Sequence, residues 1–205
     1  MPAILYYVHD PMCSWCYAFT RSYNYLKQNL PDDIVIKRLL GGLARDTQED
    51  MPEEMRQTIQ SNWHRIQQTV TDITFNFDFW KKCQPRRATY MACRAVIAAR
   101  EQGMEYDENM THAIQQAYYL HAKNPSDLDT LVGIAGELGL DKEKFSESIM
   151  SVNTNEELKQ EIYLSRQLGI ASFPSLLLQT GIKAKLIPHD YNHPEEMIDI
   201  ILDAS

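Results

Sequence analysis

Cysteine is scarce in this 205-residue chain, and the placement of the four that it has excludes a disulfide-stapled scaffold. Cys13 and Cys16 sit together near the start, whereas Cys83 and Cys93 lie far downstream with nine residues between them. Cations are also in deficit, with 20 Lys and Arg against 28 Asp and Glu and a net charge of −8. That balance argues against a nucleic-acid partner, because phosphate-backbone binding depends on cationic side chains displacing counterions. No apolar run approaches the ~20 residues that span a bilayer, so no membrane segment is expected. Met1-Pro2 leads into an apolar run without a basic leader or a small-residue cleavage site, and a cytoplasmic location is expected. The length is sufficient to bury a core without covalent help.

The apolar residues that are present organise the chain. Ala3 to Val8 is a continuous apolar and aromatic run, and Ile34-Val35-Ile36 with Leu39-Leu40 is a second, both suited to buried strands. Between them Cys16, Phe19, Tyr23, Leu26 and Leu30 recur at helical steps until Pro31 stops them. The opening therefore predicts β-α-β with a parallel strand pair and a right-handed crossover. From Pro52 to about Leu168 the pattern is helical, with expected helices over 86–102, 107–121, 127–138 and 142–150, and a last one opened by a capping box at Thr154-Asn155-Glu156-Glu157 and closed at Gly169. Ser175 to Gln179 and Lys183 to Ile187 then flank Thr180-Gly181 as a hairpin, and 194–202 forms a final helix.

Cys13-Ser14-Trp15-Cys16 falls at the turn between the first strand and the first helix. In a chain without a disulfide framework, such a pair reads as a redox dithiol. Backbone amides at a helix N-terminus lack intrahelical partners and favour the thiolate form of Cys13. Cys16, one helical step into the apolar stripe, is expected to be less accessible. Cys13 would then exchange with a partner and Cys16 would resolve the mixed disulfide. A zinc site is the competing reading of the pair, and the spacing of Cys83 and Cys93 does not supply its other ligands.

The order β-α-β, helical block, β-β-α is that of a thioredoxin fold with helices inserted between its halves. The chain resembles DsbA-like thiol–disulfide oxidoreductases, and more closely the bacterial group of predicted protein-disulfide isomerases. The residues that carry the resemblance are Asp10-Pro11-Met12-Cys13-Ser14-Trp15-Cys16, Leu40-Gly41-Gly42-Leu43, Ala92-Cys93-Arg94-Ala95-Val96, and Arg166 to Ile170 leading to Phe173-Pro174-Ser175. It implies an α/β fold with a thioredoxin-like unit over 1–45 plus 165–205 and a helical insertion over 46–164. It also implies that Pro174 is a cis-proline facing Cys13 and Cys16, with Phe173 offering backbone groups to a substrate and Trp15 beside it. Strongly oxidising members carry histidine where this chain has Trp15, which points to an intermediate or reducing potential.

The expected activity is exchange of disulfides on proteins or small thiols, glutathione included, without cofactor or metal. Two alternatives remain open: a glutathione-dependent isomerase or transferase on the same fold, whose members typically replace the first cysteine with serine, and a non-catalytic, redox-responsive binding module. Cys83, beside Lys81, Lys82, Arg86 and Arg87, is a candidate auxiliary thiol, and Cys93 is expected in a helix core. Asp10 before Pro11 reads as a turn initiator with proton acceptance as the functional alternative, and His9 as a packed residue. Phe75, Phe77 and Phe79 read as an extended segment covering the core, with a substrate groove as the alternative.

Overall fold

The computed structural model describes residues 3–204. A four-stranded sheet runs in the order β2-β1-β3-β4, with β1 at Ala3–His9, β2 at Ile34–Leu40, β3 at Ser175–Thr180 and β4 at Lys183–Ile187. β1 pairs parallel with β2, setting Leu5 opposite Ile36, and antiparallel with β3, setting Leu5 opposite Leu178. Flanked on both sides, β1 is buried along nearly its whole length, which is why it reads as a continuous apolar run without alternation. Its side chains still alternate between faces. Leu5 and Tyr7 join a core with Phe19, Leu26, Met197 and Ile201, whereas Tyr6 and Val8 pack with Leu39, Ile170 and Leu177 on the other side.

The expected first helix is two: α1 at Ser14–Ala18 and α2 at Thr20–Asn29, parted at Phe19. The Thr20 hydroxyl bonds back to the Cys16 carbonyl at 3.4 Å, a local competitor for the helical ladder at this step. The helical block contains α3 (Glu53–Thr69), α4 (Phe79–Lys82), α5 (Tyr90–Arg100), α6 (Tyr106–Tyr119), α7 (Leu128–Glu137), α8 (Lys142–Ile149) and α9 (Val152–Gln167). α5 starts four residues later than the sequence pattern suggests. Arg86 is tied to the Ser126 carbonyl at 2.9 Å and Thr89 N–H to Ala44 O at 2.9 Å, which holds 86–89 out of the helix. α9 starts earlier than its capping box implies. Ser151 is the N-cap, accepting from Thr154 N–H at 3.1 Å, while Glu156 and Glu157 pair with Lys159 and Arg100. Its other end is as expected: Gly169 has φ +76°, and Ile170 N–H reaches Ser165 O at 2.9 Å. The chain closes with α10 at Pro194–Leu202.

Trp63 centres the core of the block. Its ring lies 4.9 Å from Phe75, 5.0 Å from Trp80 and 5.6 Å from Tyr118. Phe75 and Phe79 are buried against it, which accounts for the aromatic run before α4 as packing. A buried ionic network joins sheet to block. Arg38 on β2 contacts Asp107 at 2.5 Å and Thr111 at 2.9 Å, and Arg100 on α5 contacts Asp107 at 2.9 Å and Glu161 at 2.7 Å. Glu161 also accepts the Leu40 N–H at 2.6 Å.

Candidate active site

The turn after β1 is built on one side chain. Asp10, fully buried, accepts Met12 N–H at 2.8 Å through one carboxylate oxygen, and its carbonyl accepts Cys13 N–H at 3.0 Å. Its second oxygen accepts Leu43 N–H and the Thr89 hydroxyl, both at 2.7 Å, and the Cys93 thiol at 3.5 Å. Burial pushes this carboxyl up, and the donors pull it back down. Asp10 thus does more than initiate a turn: it fixes the turn to the loop after β2 and to α5.

Cys13 is the N-cap of α1, with extended backbone at φ −82° and ψ 118°. Its thiol donates to the Phe173 carbonyl at 3.6 Å, across 160 residues of sequence. The Phe173–Pro174 peptide is cis, and Pro174 is buried immediately before β3. Gly41 has to be small here, because a methyl built on it would overlap the Phe173 ring at Cε1 and Cζ. Gly42 sits at φ +61°, a left-handed conformation, with the Tyr90 ring 2.8 Å from where its Cβ would be.

Cys16 has no exposed surface. Burial first, then its hydrogen bond to Cys13 and the proximity of Cys13, push its thiol well above the ordinary range. The two sulfurs are therefore unequal: Cys13 borders open space, and Cys16 is held protonated behind it.

The open space is a cleft of about 340 Å³ whose walls include Cys13, Trp15, Met51, Trp63, Arg87 and Phe173. Trp15 is half-buried, its ring 5.2 Å from Tyr191 and 5.9 Å from the Arg65 guanidinium. Of the residues singled out in the sequence, Cys13, Trp15 and Phe173 meet in this cleft, with Cys16 behind Cys13 and Pro174 following Phe173 out of its walls. Phe75, Phe77 and Phe79 are not among the cleft walls.

Cys83 donates to the Ala122 carbonyl at 3.1 Å. Burial and then Asp127 push its thiol up, against the partial opposition of Lys82, which is the reverse of activation by basic neighbours. His9 is buried against Tyr7, ring centroids 5.0 Å apart, as expected of a packed residue. Sequence reasoning missed Tyr191, Arg65, Trp63 and Arg87 as neighbours of the dithiol. Only Arg87 carried a signal, as part of a basic stretch that was attributed to Cys83.

The sequence model of a family described as thioredoxin matches residues 6–184. A proposed protein disulfide isomerase from Nitrosomonas europaea has a similar structure, with TM-score 0.83 and 27% identity over 100% of this chain and 97% of that one. The cytosolic disulfide reductase DsbM from Pseudomonas aeruginosa is similar in fold at TM-score 0.77 and 20% identity, covering 98% of each chain, and so is its structure with GSH (glutathione) at TM-score 0.74 and 19% identity. Among curated proteins, the ClpXP adapter protein SpxH of Halalkalibacterium halodurans is 21% identical over 182 residues, 86% of this chain. The chain spans 58% of the length of that relative.

Proposed function

The chain belongs to the thioredoxin family, and from that premise we propose that it is a thiol–disulfide oxidoreductase acting through Cys13 and Cys16. The Cys13 thiolate attacks a substrate disulfide, whose S–S bond breaks as a mixed disulfide forms and one thiolate leaves. Cys16 then gives up its proton and attacks Cys13 Sγ, releasing the second substrate thiol and leaving a Cys13–Cys16 disulfide. An external thiol such as glutathione returns the pair to the dithiol, and the reverse sequence oxidises a substrate. The observation that carries this reading is the inequality of the sulfurs, one lining a cleft and one sealed behind it.

Phe173, through the carbonyl that meets the Cys13 thiol, is positioned to hold substrate backbone beside the reacting sulfur. Residues 1–45 with 165–205 form the redox unit on this reading, and 46–164 shapes its cleft. The similarity to DsbM supports a reducing role in the cytosol with glutathione as a partner. Trp15, in place of a histidine cation, supports a potential between the roughly −120 mV of DsbA and −270 mV of thioredoxin. Cys13→Ser is expected to lower reduction of insulin disulfides by at least about 10³-fold. Cys16→Ser is expected to accumulate a mixed disulfide visible by mass spectrometry. Full activity in Cys13→Ser overturns the assignment.

The adapter relatives favour a second reading, a binding module whose partner choice follows the redox state of the pair. Stoichiometric oxidation without turnover in the presence of excess thiol donor would select it.

A further inference from the structure

Charge is unevenly distributed around Cys13. The chain carries eight more acidic than basic residues, yet none of the residues lining the cleft is Asp or Glu, while Arg86 and Arg87 both are among them. The two arginines differ in their commitments. Arg86 donates to the Ser126 carbonyl at 2.9 Å and is ion-paired with Asp127. Arg87 is half-buried and has no ion pair or hydrogen bond among the described residues. The charge of Arg87 acts on Tyr118, which lines the same cleft and whose own burial pushes its hydroxyl up. Trp63, fully buried, is a wall residue of the same cleft. A guanidinium free of ion pairs and hydrogen bonds, in a cleft that no carboxylate lines, marks a place where an anionic ligand fits.

We propose that this wall is an anion subsite in which Arg87 receives a carboxylate of the thiol or disulfide that reacts at Cys13. The planar fork of a guanidinium matches a carboxylate in two-point geometry. Met12, Met51 and Ile59 supply apolar wall beside that contact, while Arg87, only half-buried, stays within reach of salt. The inference rests on the exchange reading and narrows it to small anionic thiols and disulfides. Arg87 is a specificity residue here, since the bond changes remain those at sulfur: the substrate S–S bond breaks, two electrons pass from the Cys13–Cys16 dithiol, and two substrate thiols leave.

The test is single-turnover oxidation of the fully reduced protein, with no other reductant present, by three disulfides of similar size: dithiodipropionate (anionic), hydroxyethyl disulfide (neutral) and cystamine (cationic). Loss of protein thiol is followed by acid quench, alkylation and mass spectrometry. In the wild type the ratio of the anionic to the cationic rate constant is expected to fall as salt rises from about 0.05 to about 0.5 M, by screening. Arg87→Gln is expected to lower that ratio at least tenfold, and Arg87→Lys to retain most of it. A ratio unchanged by both Arg87→Gln and salt overturns the subsite while leaving exchange intact. A wild-type protein oxidised by none of the three overturns the exchange reading itself.

Discussion

Two arginine-bearing regions of the molecule differ in whether their guanidinium groups are paired with carboxylates. In the network between sheet and helical block, Arg38 and Arg100 face Asp107 and Glu161 at 2.5–2.9 Å, and Arg38 also lies over the rings of Tyr7 and Tyr23. Beside Cys13, Arg87 has no ion pair or hydrogen bond among the described residues, and the Cys13 thiol, besides its hydrogen bond with Cys16, has a long contact to the Phe173 carbonyl. Matched charges fix two elements against each other. Unmatched donors near a nucleophile leave chemistry for an incoming molecule to complete.

The largest effect expected from probing this contrast lies in the matched region. Arg100→Met leaves Asp107 and Glu161 under-compensated and is expected to cost about 3–5 kcal/mol in urea unfolding, the range for breaking a buried pair. Exchange per folded molecule should persist, because Arg100 does not border the cleft. A loss of less than about 1 kcal/mol would mean that the network contributes little to holding the block.

Gly41→Ala tests the boundary between the regions. The added methyl collides with the Phe173 ring, so a cost of about 1–3 kcal/mol is expected from overpacking. Unlike Arg100→Met, this change should also slow exchange, because it displaces the residue whose carbonyl meets Cys13. Unaltered kinetics would detach Phe173 from the chemistry.

The smallest effect is a pH dependence from His9. Burial, then Arg38 and Arg100, hold its imidazole well below the usual 6.5. The unfolded chain therefore takes up a proton near pH 6.5 that the folded chain refuses, so this contribution to stability is complete above that pH and is lost as pH falls through it. Between pH 7 and 6 the loss is about 0.7 kcal/mol. Asp10 and Glu161, both raised by burial, work in the opposite sense as pH falls through their own values. His9→Gln should consequently lose less stability than the wild type on acidification, measured by urea unfolding at each pH. Parallel curves would remove His9 from the account.

What the sequence revealed was local, and what it withheld was the identity of distant partners. β1 announces itself by an uninterrupted apolar run, α9 ends at a glycine with the required positive φ, and Cys13 and Cys16 lie at the turn where a strand pattern meets a helical one. Asp10 could be read as a turn residue from its neighbour Pro11, but nothing local names Thr89 and Cys93, 79 and 83 residues away, as its other partners. The sequence places the start of α9 too late because Thr154 resembles a cap as much as Ser151 does, and the Ser148 and Ser151 hydroxyls around it settle the choice. Arg87 sits in a basic stretch near Cys83, and sequence proximity drew attention to the wrong sulfur.

The Asp10 carboxylate also sets the order in which the site can exist during synthesis. A ribosome delivers both thiols within residues 13–16, whereas the groups that hold their turn arrive at 43, 89 and 93, and the carbonyl that meets Cys13 arrives at 173. A nascent chain stopped before α5 therefore displays two cysteines whose turn still lacks its contacts with Cys93 and Phe173. The contacts that hold the turn and face its first sulfur are complete only in the finished chain.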